Sequence, residues 1–215
     1  MELQSLKTRI KNIKKEDYFN FANLHCHSNI SVGREDFDTL IEQALNIGLK
    51  HFSITDHNTI DGYKNSKYLN NPVLIKGVEF DCFYSTTLIH ILGYGIDINH
   101  PEILNFCAKD KKDTKYDIVR LLHLRHPKKV IDAIHKAGGI AVFAHPCCSS
   151  VISLGALVKK LKSFGLDGIE TNYPYARHRG IIKFHSRKKP YRLAQRFDLI
   201  QTGGTDEHGS LLKNI

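Results

Sequence analysis

Short apolar runs alternate with helical patterns along most of the chain, and this alternation limits the fold more than any other feature. An apolar run of about four to eight residues suits a strand buried in a sheet, and an amphipathic helix beside it suits a cover over one sheet face. "DFDTLIEQALNIGL" carries Leu40, Ile41, Ala44 and Leu45 at helical spacing and meets Gly48 as a stop, and "HFSIT", "VLIKGV" and "LIHILGYGI" follow as strands. "PKKVIDAIHKAGG" predicts a helix closed by glycine, and "IAVFA" a strand. "SLGALVKKLKSFG" places Leu154, Leu157, Val158, Leu161 and Phe164 on one helical face. "LDGIET" and "DLIQTGG" read as further strands, with a helix over "YRLAQRF" between them. Strand alternating with helix predicts an α/β fold with a largely parallel sheet, open or closed into a barrel. A chain of 215 residues, 41% hydrophobic, can bury the core that one such domain needs.

Polar residues stand where these strands end. His57 follows "HFSIT", Glu79 follows "VLIKGV", His145 follows "IAVFA", and Asp206 and His208 follow "LIQTGG". In "NLHCHSN", His25 and His27 lie two apart at the end of a run that reads as a strand, so they project from one face. His90 lies in the body of "LIHILGYGI". The carboxyl ends of strands are where the loops of barrels and open α/β sheets converge on a site. Imidazoles and carboxylates without thiolate pairs suit Mn²⁺, Zn²⁺ or Fe²⁺.

Composition removes other classes. The five cysteines (Cys26, Cys82, Cys107, Cys147, Cys148) include no C-x-x-C pair, which argues against a disulfide framework and a zinc ribbon. There is neither a G-x-S-x-G nor a G-x-x-x-x-G-K-[ST] motif to supply a nucleophilic serine or a phosphate loop. No apolar run is long enough for a bilayer and "MELQSLKTRIKNIKK" lacks a secretory core, so a cytoplasmic protein without a membrane partner is expected. The formal charge of +9 favours anionic partners, with basic residues concentrated at residues 7–15, 109–115 and 185–189. The oligomeric state is left open.

Taken in order, "NLHCHSNISVG", "ITDHNTIDGY", "GVEF", "IHILGYGID", "GGIAVFAHP", "LDGIETNYP" and "TGGTDEHG" resemble the PHP (polymerase and histidinol phosphatase) family, and most of all its stand-alone phosphoesterases. The resemblance implies a distorted (β/α)7 TIM-like barrel with two or three divalent ions, Mn, Zn or Fe, at the strand carboxyl ends. It assigns His25, His27, Glu79 and Asp206 to one ion and Glu79, His90 and His145 to a second, with Glu79 bridging. His57 and His208 go to a third, with Asp56 orienting His57 from behind. The catalytic group it implies is Glu79, Asp206 and His208.

Three features depart from the family pattern. Val32 stands where an aspartate is usual, so a third ion keeps only two protein ligands unless Glu35 or Asp36 shifts in. Residues 105–127 form a short polar connection where relatives carry a helical insertion, within a phosphoesterase domain expected over 19–215 after a basic segment at 1–18. Glu207 replaces a bulky apolar residue. The implied activity is metal-dependent hydrolysis of a phosphate ester: a nucleotide or other small monoester first, a phosphodiester at an RNA or DNA end as the alternative, a degenerate metal-binding protein as the third. Arg177 and His178, with Tyr173, are the candidates to meet the substrate.

Overall fold

The structure, a computed structural model, describes residues 3–116, 125–178 and 185–209. Among them are seven strands: β1 (Ala22–Asn23), β2 (His51–Phe52), β3 (Gly77–Tyr84), β4 (Thr87–Tyr94), β5 (Ile140–Phe143), β6 (Gly168–Asn172) and β7 (Ile200–Gly203). β1 and β2 pair in parallel, and β3 to β7 form a five-stranded sheet in chain order.

The sheet is mixed rather than largely parallel. β5, β6 and β7 are parallel, but β4 is antiparallel to both β3 and β5. The cause lies at Ser85 and Thr86: Tyr84 pairs with Thr87, leaving a two-residue turn that only antiparallel strands can use. Ser85 takes a φ of 56° there, and no glycine or asparagine marks the turn in the sequence. A second difference concerns "VLIKGV", in which strand β3 begins only at Gly77. The turn at Asn71 aligns just one residue, Leu74, as an isolated bridge to Phe52. Glu79 therefore lies early in β3, not beyond a strand end.

Further isolated bridges pair His57 with Glu79 and Cys26 with Glu207, and Asp206 N donates to His25 O at 2.8 Å. The segments that follow β1, β2 and β7 consequently run beside one another and beside the start of β3. Helices cover the sheet with the faces expected of them. Phe37–Asn46 starts at Asp36, whose carboxylate accepts from the Asp38 and Thr39 N–H groups, and it buries Leu40, Ile41 and Ala44. Pro127–Lys136, Leu154–Ser163 and Lys189–Arg196 likewise bury one face each.

The core between sheet and helices includes Phe80, Ile91, Phe143 and Ile169. A second cluster joins Leu24, Leu92, Tyr94, Val142 and Ile200 to Leu6 and Ile10, which come from a helix at Leu3–Lys11. Each of those two side chains contributes roughly 1.5–3 kcal/mol by leaving water. The five cysteines are free thiols.

Candidate metal centre

Glu79 is fully buried and its two carboxylate oxygens serve two groups of imidazoles. Oε2 lies 3.2 Å from His25 Nε2, 3.2 Å from His27 Nε2 and 3.4 Å from His57 Nε2. Asp206 Oδ1 closes that group, 3.5 Å from His25 Nε2 and 3.0 Å from His27 Nε2. Oε1 lies 2.9 Å from His90 Nδ1 and 3.1 Å from His145 Nε2, and those two nitrogens are 3.3 Å apart. The pairing of β3 with β4 sets Glu79 and His90 near each other, because Asp81, two residues along the same strand face as Glu79, is directly opposite His90.

Other residues hold these groups in place. Glu170, fully buried on β6, accepts from His25 Nδ1 at 3.1 Å and from the His145 backbone N–H at 2.7 Å. A carboxylate on Nδ1 keeps the proton there and turns the Nε2 lone pair toward Glu79 and Asp206. Asp81 Oδ1 sits 3.1 Å from His57 Nδ1 and 3.2 Å from His90 Nε2, and its Oδ2 accepts from Asn58 Nδ2 at 2.5 Å. Tyr173 donates its hydroxyl to Asp206 Oδ2 at 2.6 Å. His208 Nδ1 is 3.0 Å from the Asp206 carbonyl oxygen, which can only accept, so the proton stays on Nδ1 and Nε2 keeps its lone pair. Asn58, His145 and Asp206 all have left-handed backbone, with φ of 54°, 26° and 49°; such strain in non-glycine residues is typical of functional sites. Gly204 is required here, since a Cβ on it would fall 2.3 Å from His25 Cβ.

The electrostatics follow from burying this much charge. Burial alone would lower the His25 pKa, but Glu170, Glu79 and Asp206 outweigh it and hold it well above the ordinary value. Burial is likewise outweighed at His27, which is raised to about 9 by Asp206 and Glu79, and at His145, raised well above the ordinary value by Cys148 and Glu79. Burial would raise Glu79 and Asp206, yet the surrounding imidazoles keep both well below the usual carboxylate range. His57 goes the other way: burial pushes it down to about 4, only partly offset by Glu79 and Asp81. Protons on the imidazoles thus balance the buried carboxylates, a task that divalent cations would take over.

The donor set fits such cations. His25, His27, Glu79 and Asp206 bring one ligand atom each within 4.8 Å of one another, and so do His57, Glu79 and His90. Ligand bonds of about 2.0–2.2 Å give tetrahedral or octahedral edges of about 2.8–3.6 Å, the range spanned by the nitrogen to oxygen distances above. In each ring the nitrogen turned to Glu79 is the candidate ligand atom, while the opposite nitrogens of His57 and His90 face Asp81 Oδ1.

Some sequence expectations are met differently. Asp56 does not bond to His57; its carboxylate accepts from Ser28 N, Ser28 Oγ and Ser31 Oγ at 2.8, 2.6 and 2.6 Å, and so fixes the loop after His27. Asp36 is engaged as the helix cap, which removes it as a substitute for the missing aspartate at Val32. His57 groups with Glu79 and His90, while His57 and His208 each stack on the His27 ring. Tyr173, expected to meet substrate, has its hydroxyl on Asp206. Arg177 and His178 belong to a short helix at Tyr175–His178, and their side chains lie outside the described residues. Glu170 and Asp81 escaped the reading of the sequence. The i, i+2 relation of Asp81 to Glu79 and the place of Glu170 in "GIET" were the available signals.

No family model matches the chain. It is 23% identical to the phosphoribosyl 1,2-cyclic phosphate 1,2-diphosphodiesterase of Eggerthella lenta, over 87% of this chain and 94% of that one. It is 25% identical to a 5'-3' exoribonuclease of Haemophilus influenzae, over 86% and 89%. Among solved structures, a Bifidobacterium adolescentis protein regarded as a metal-dependent phosphoesterase superposes with a TM-score of 0.71 at 20% identity, covering 88% of each chain. A two-domain Bacteroides vulgatus protein containing a predicted PHP-like metal-dependent phosphoesterase gives a TM-score of 0.58 at 16% identity, over 90% of this chain and 53% of that one. The two structural likenesses establish the fold.

Proposed function

We propose that the chain is a relative of the PHP-type metal-dependent phosphoesterases and hydrolyses phosphate esters at a divalent-metal centre built around Glu79. The observation that carries this reading is the division of labour on Glu79, one oxygen facing His25 and His27 and the other facing His90 and His145. His25, His27 and Asp206 would hold one ion with Glu79, and His90 and His145 the second. His57 and His208 would be all that remains for a third, because Val32 offers no ligand. Mn²⁺, Zn²⁺ or Fe²⁺ suits the set. Ions held there would supply a hydroxide near neutral pH and positive charge for the phosphoryl oxygens. Glu79 keeps the two groups at a fixed separation, Asp206 closes the group of His25 and His27, and His208, with Nδ1 tied to a carbonyl, offers Nε2 as ligand or base. The bridges of Cys26 to Glu207 and His57 to Glu79 support reading the two sheets as one distorted seven-stranded barrel around this centre.

The names of the relatives, a phosphoribosyl cyclic phosphate diphosphodiesterase and an exoribonuclease, favour a phosphodiester over a free monoester, and the exoribonuclease together with the net charge of +9 favours one borne by nucleotides. Protein supplied with Mn²⁺ should cleave a bis-aryl phosphate and shorten a 5′-labelled oligonucleotide, and His25→Ala or Asp206→Ala should abolish both. Full turnover in both variants would refute the assignment. Phosphate release from mononucleotides with no shortening of the oligonucleotide would restore the monoester.

A further inference from the structure

Lys15, at the end of the basic stretch 7–15, meets the basic stretch 185–189 in space although the two are far apart in the chain. They border a groove of about 600 Å³ lined by Lys15 on one side and by Arg187, Lys188, Tyr191 and Arg192 on the other. Among the described residues none of these four cations is paired with a carboxylate, and Asp17, two residues along from Lys15, turns its side chain to the Lys14 N–H at 2.9 Å. Four unpaired cations held together repel one another, so the folded chain keeps them there at some cost to stability. Tyr191 is 42% exposed and its ring lies 6.0 Å from Lys15 Nζ, an aromatic face beside a charge.

The groove also approaches the metal centre. Tyr173 and Tyr175 line its inner end, with ring centroids 4.8 Å apart. Tyr173 in turn packs 5.2 Å from the His145 ring and bonds to Asp206. One side chain therefore separates the groove from the donor set. Phosphates spaced along a backbone match cations spaced along a groove, and an exposed ring beside them matches a base that is free of a duplex.

We propose that this groove binds a single strand of nucleic acid running away from the metal centre, with its phosphates on Lys15, Arg187, Lys188 and Arg192 and a base on Tyr191. The inference rests on the nucleotide-bearing phosphodiester read above and names the arm of the substrate that is not cut. Lys15, Arg187, Lys188, Tyr191 and Arg192 are exposed, so their replacement leaves the core intact.

The test measures binding apart from turnover. Fluorescence anisotropy of a short labelled single-stranded oligonucleotide, with a chelator present, should show affinity that falls with salt. Arg187→Ala with Arg192→Ala should reduce the log–log salt slope by about 1.4, at about 0.7 for each phosphate no longer neutralised. Tyr191→Ala should weaken binding by about 5- to 150-fold, the range that one stacked base provides. Turnover of a small aryl phosphate by the Mn²⁺-loaded variants should match the unaltered protein. The proposal is overturned if the variants bind the strand normally, or if polyglutamate competes as well as the strand and Tyr191→Ala changes nothing. Normal strand binding, weakened as stated in the variants, without turnover of any ester would refute the hydrolytic reading and leave the groove supported.

Discussion

Replacing Glu170 by glutamine removes a carboxylate whose two oxygens are both committed in a site closed to water. Oε1 receives the proton of His25 Nδ1 at 3.1 Å and Oε2 receives the His145 backbone N–H at 2.7 Å. Glutamine has one oxygen and one NH₂ for the two donors. If its oxygen stays on His25, the NH₂ meets the His145 N–H, and one buried donor is left without a partner at a cost of about 1–3 kcal/mol. If it turns over, the NH₂ meets His25 Nδ1, which must then give up its proton to Nε2. That second arrangement removes the lone pair that His25 directs at Glu79 and Asp206. Loss of an orienting partner of this kind lowers metal affinity by about 10- to 100-fold, or about 1.4–2.8 kcal/mol. Competition between protein and a chelator for Zn²⁺ measures the affinity, and thermal unfolding of the metal-free protein should fall by about 2–12 °C. An unaltered Zn²⁺ affinity in Glu170→Gln would refute the argument that Glu170 sets the His25 tautomer.

Asp81→Asn should weaken the second ion through His90, and any third through His57, while sparing that at His25, so elemental analysis after dialysis should find about one or two ions fewer per chain; unchanged content would exclude Asp81 as a support for either ring. In the metal-free protein His27 titrates near 9 and His25 and His145 sit well above the ordinary range, so all three hold protons at neutral pH that a metal must displace. Metal affinity should then rise with pH between about 6 and 9, and calorimetry in buffers of different ionisation enthalpy should detect proton release; buffer-independent heats would contradict these protonation states. Asp36→Ala should cost about 1 kcal/mol as a lost helix cap and leave metal content intact, whereas a loss of metal would show that Asp36 reaches the site after all.

The helices at Phe37–Asn46, Pro127–Lys136 and Leu154–Ser163 and the parallel strands were legible because each carries its own period and those helices their own stop, whereas the helix at Leu3–Lys11, short and rich in lysine and arginine, was not. Leu40, Ile41 and Ala44 lie on one buried face, and Gly48, Gly138 and Gly165 take positive φ just past the three helices they close. The antiparallel β3–β4 pair was not legible. Its turn, Ser85 and Thr86, uses residues without a conformational preference strong enough to announce it, and long-range pairing to β5 holds the geometry. The site was legible as a set of residue types and remained unsettled as a set of roles. Asp36 read as a possible substitute ligand and Asp56 as the support of His57, and only their hydrogen-bond partners show a helix cap and a loop clasp instead.

The sequence by itself determined an α/β chain with imidazoles and carboxylates gathered near the ends of its apolar segments, because periodicity and residue chemistry are local properties. Tertiary structure alone decided which nitrogen of each histidine faces Glu79, that Glu170 and Asp81 stand behind those rings, and that Lys15 meets Arg187 and Arg192 across one groove. Those facts depend on distances between residues remote in the chain, and such distances exist only once the strands have paired and the helices have packed.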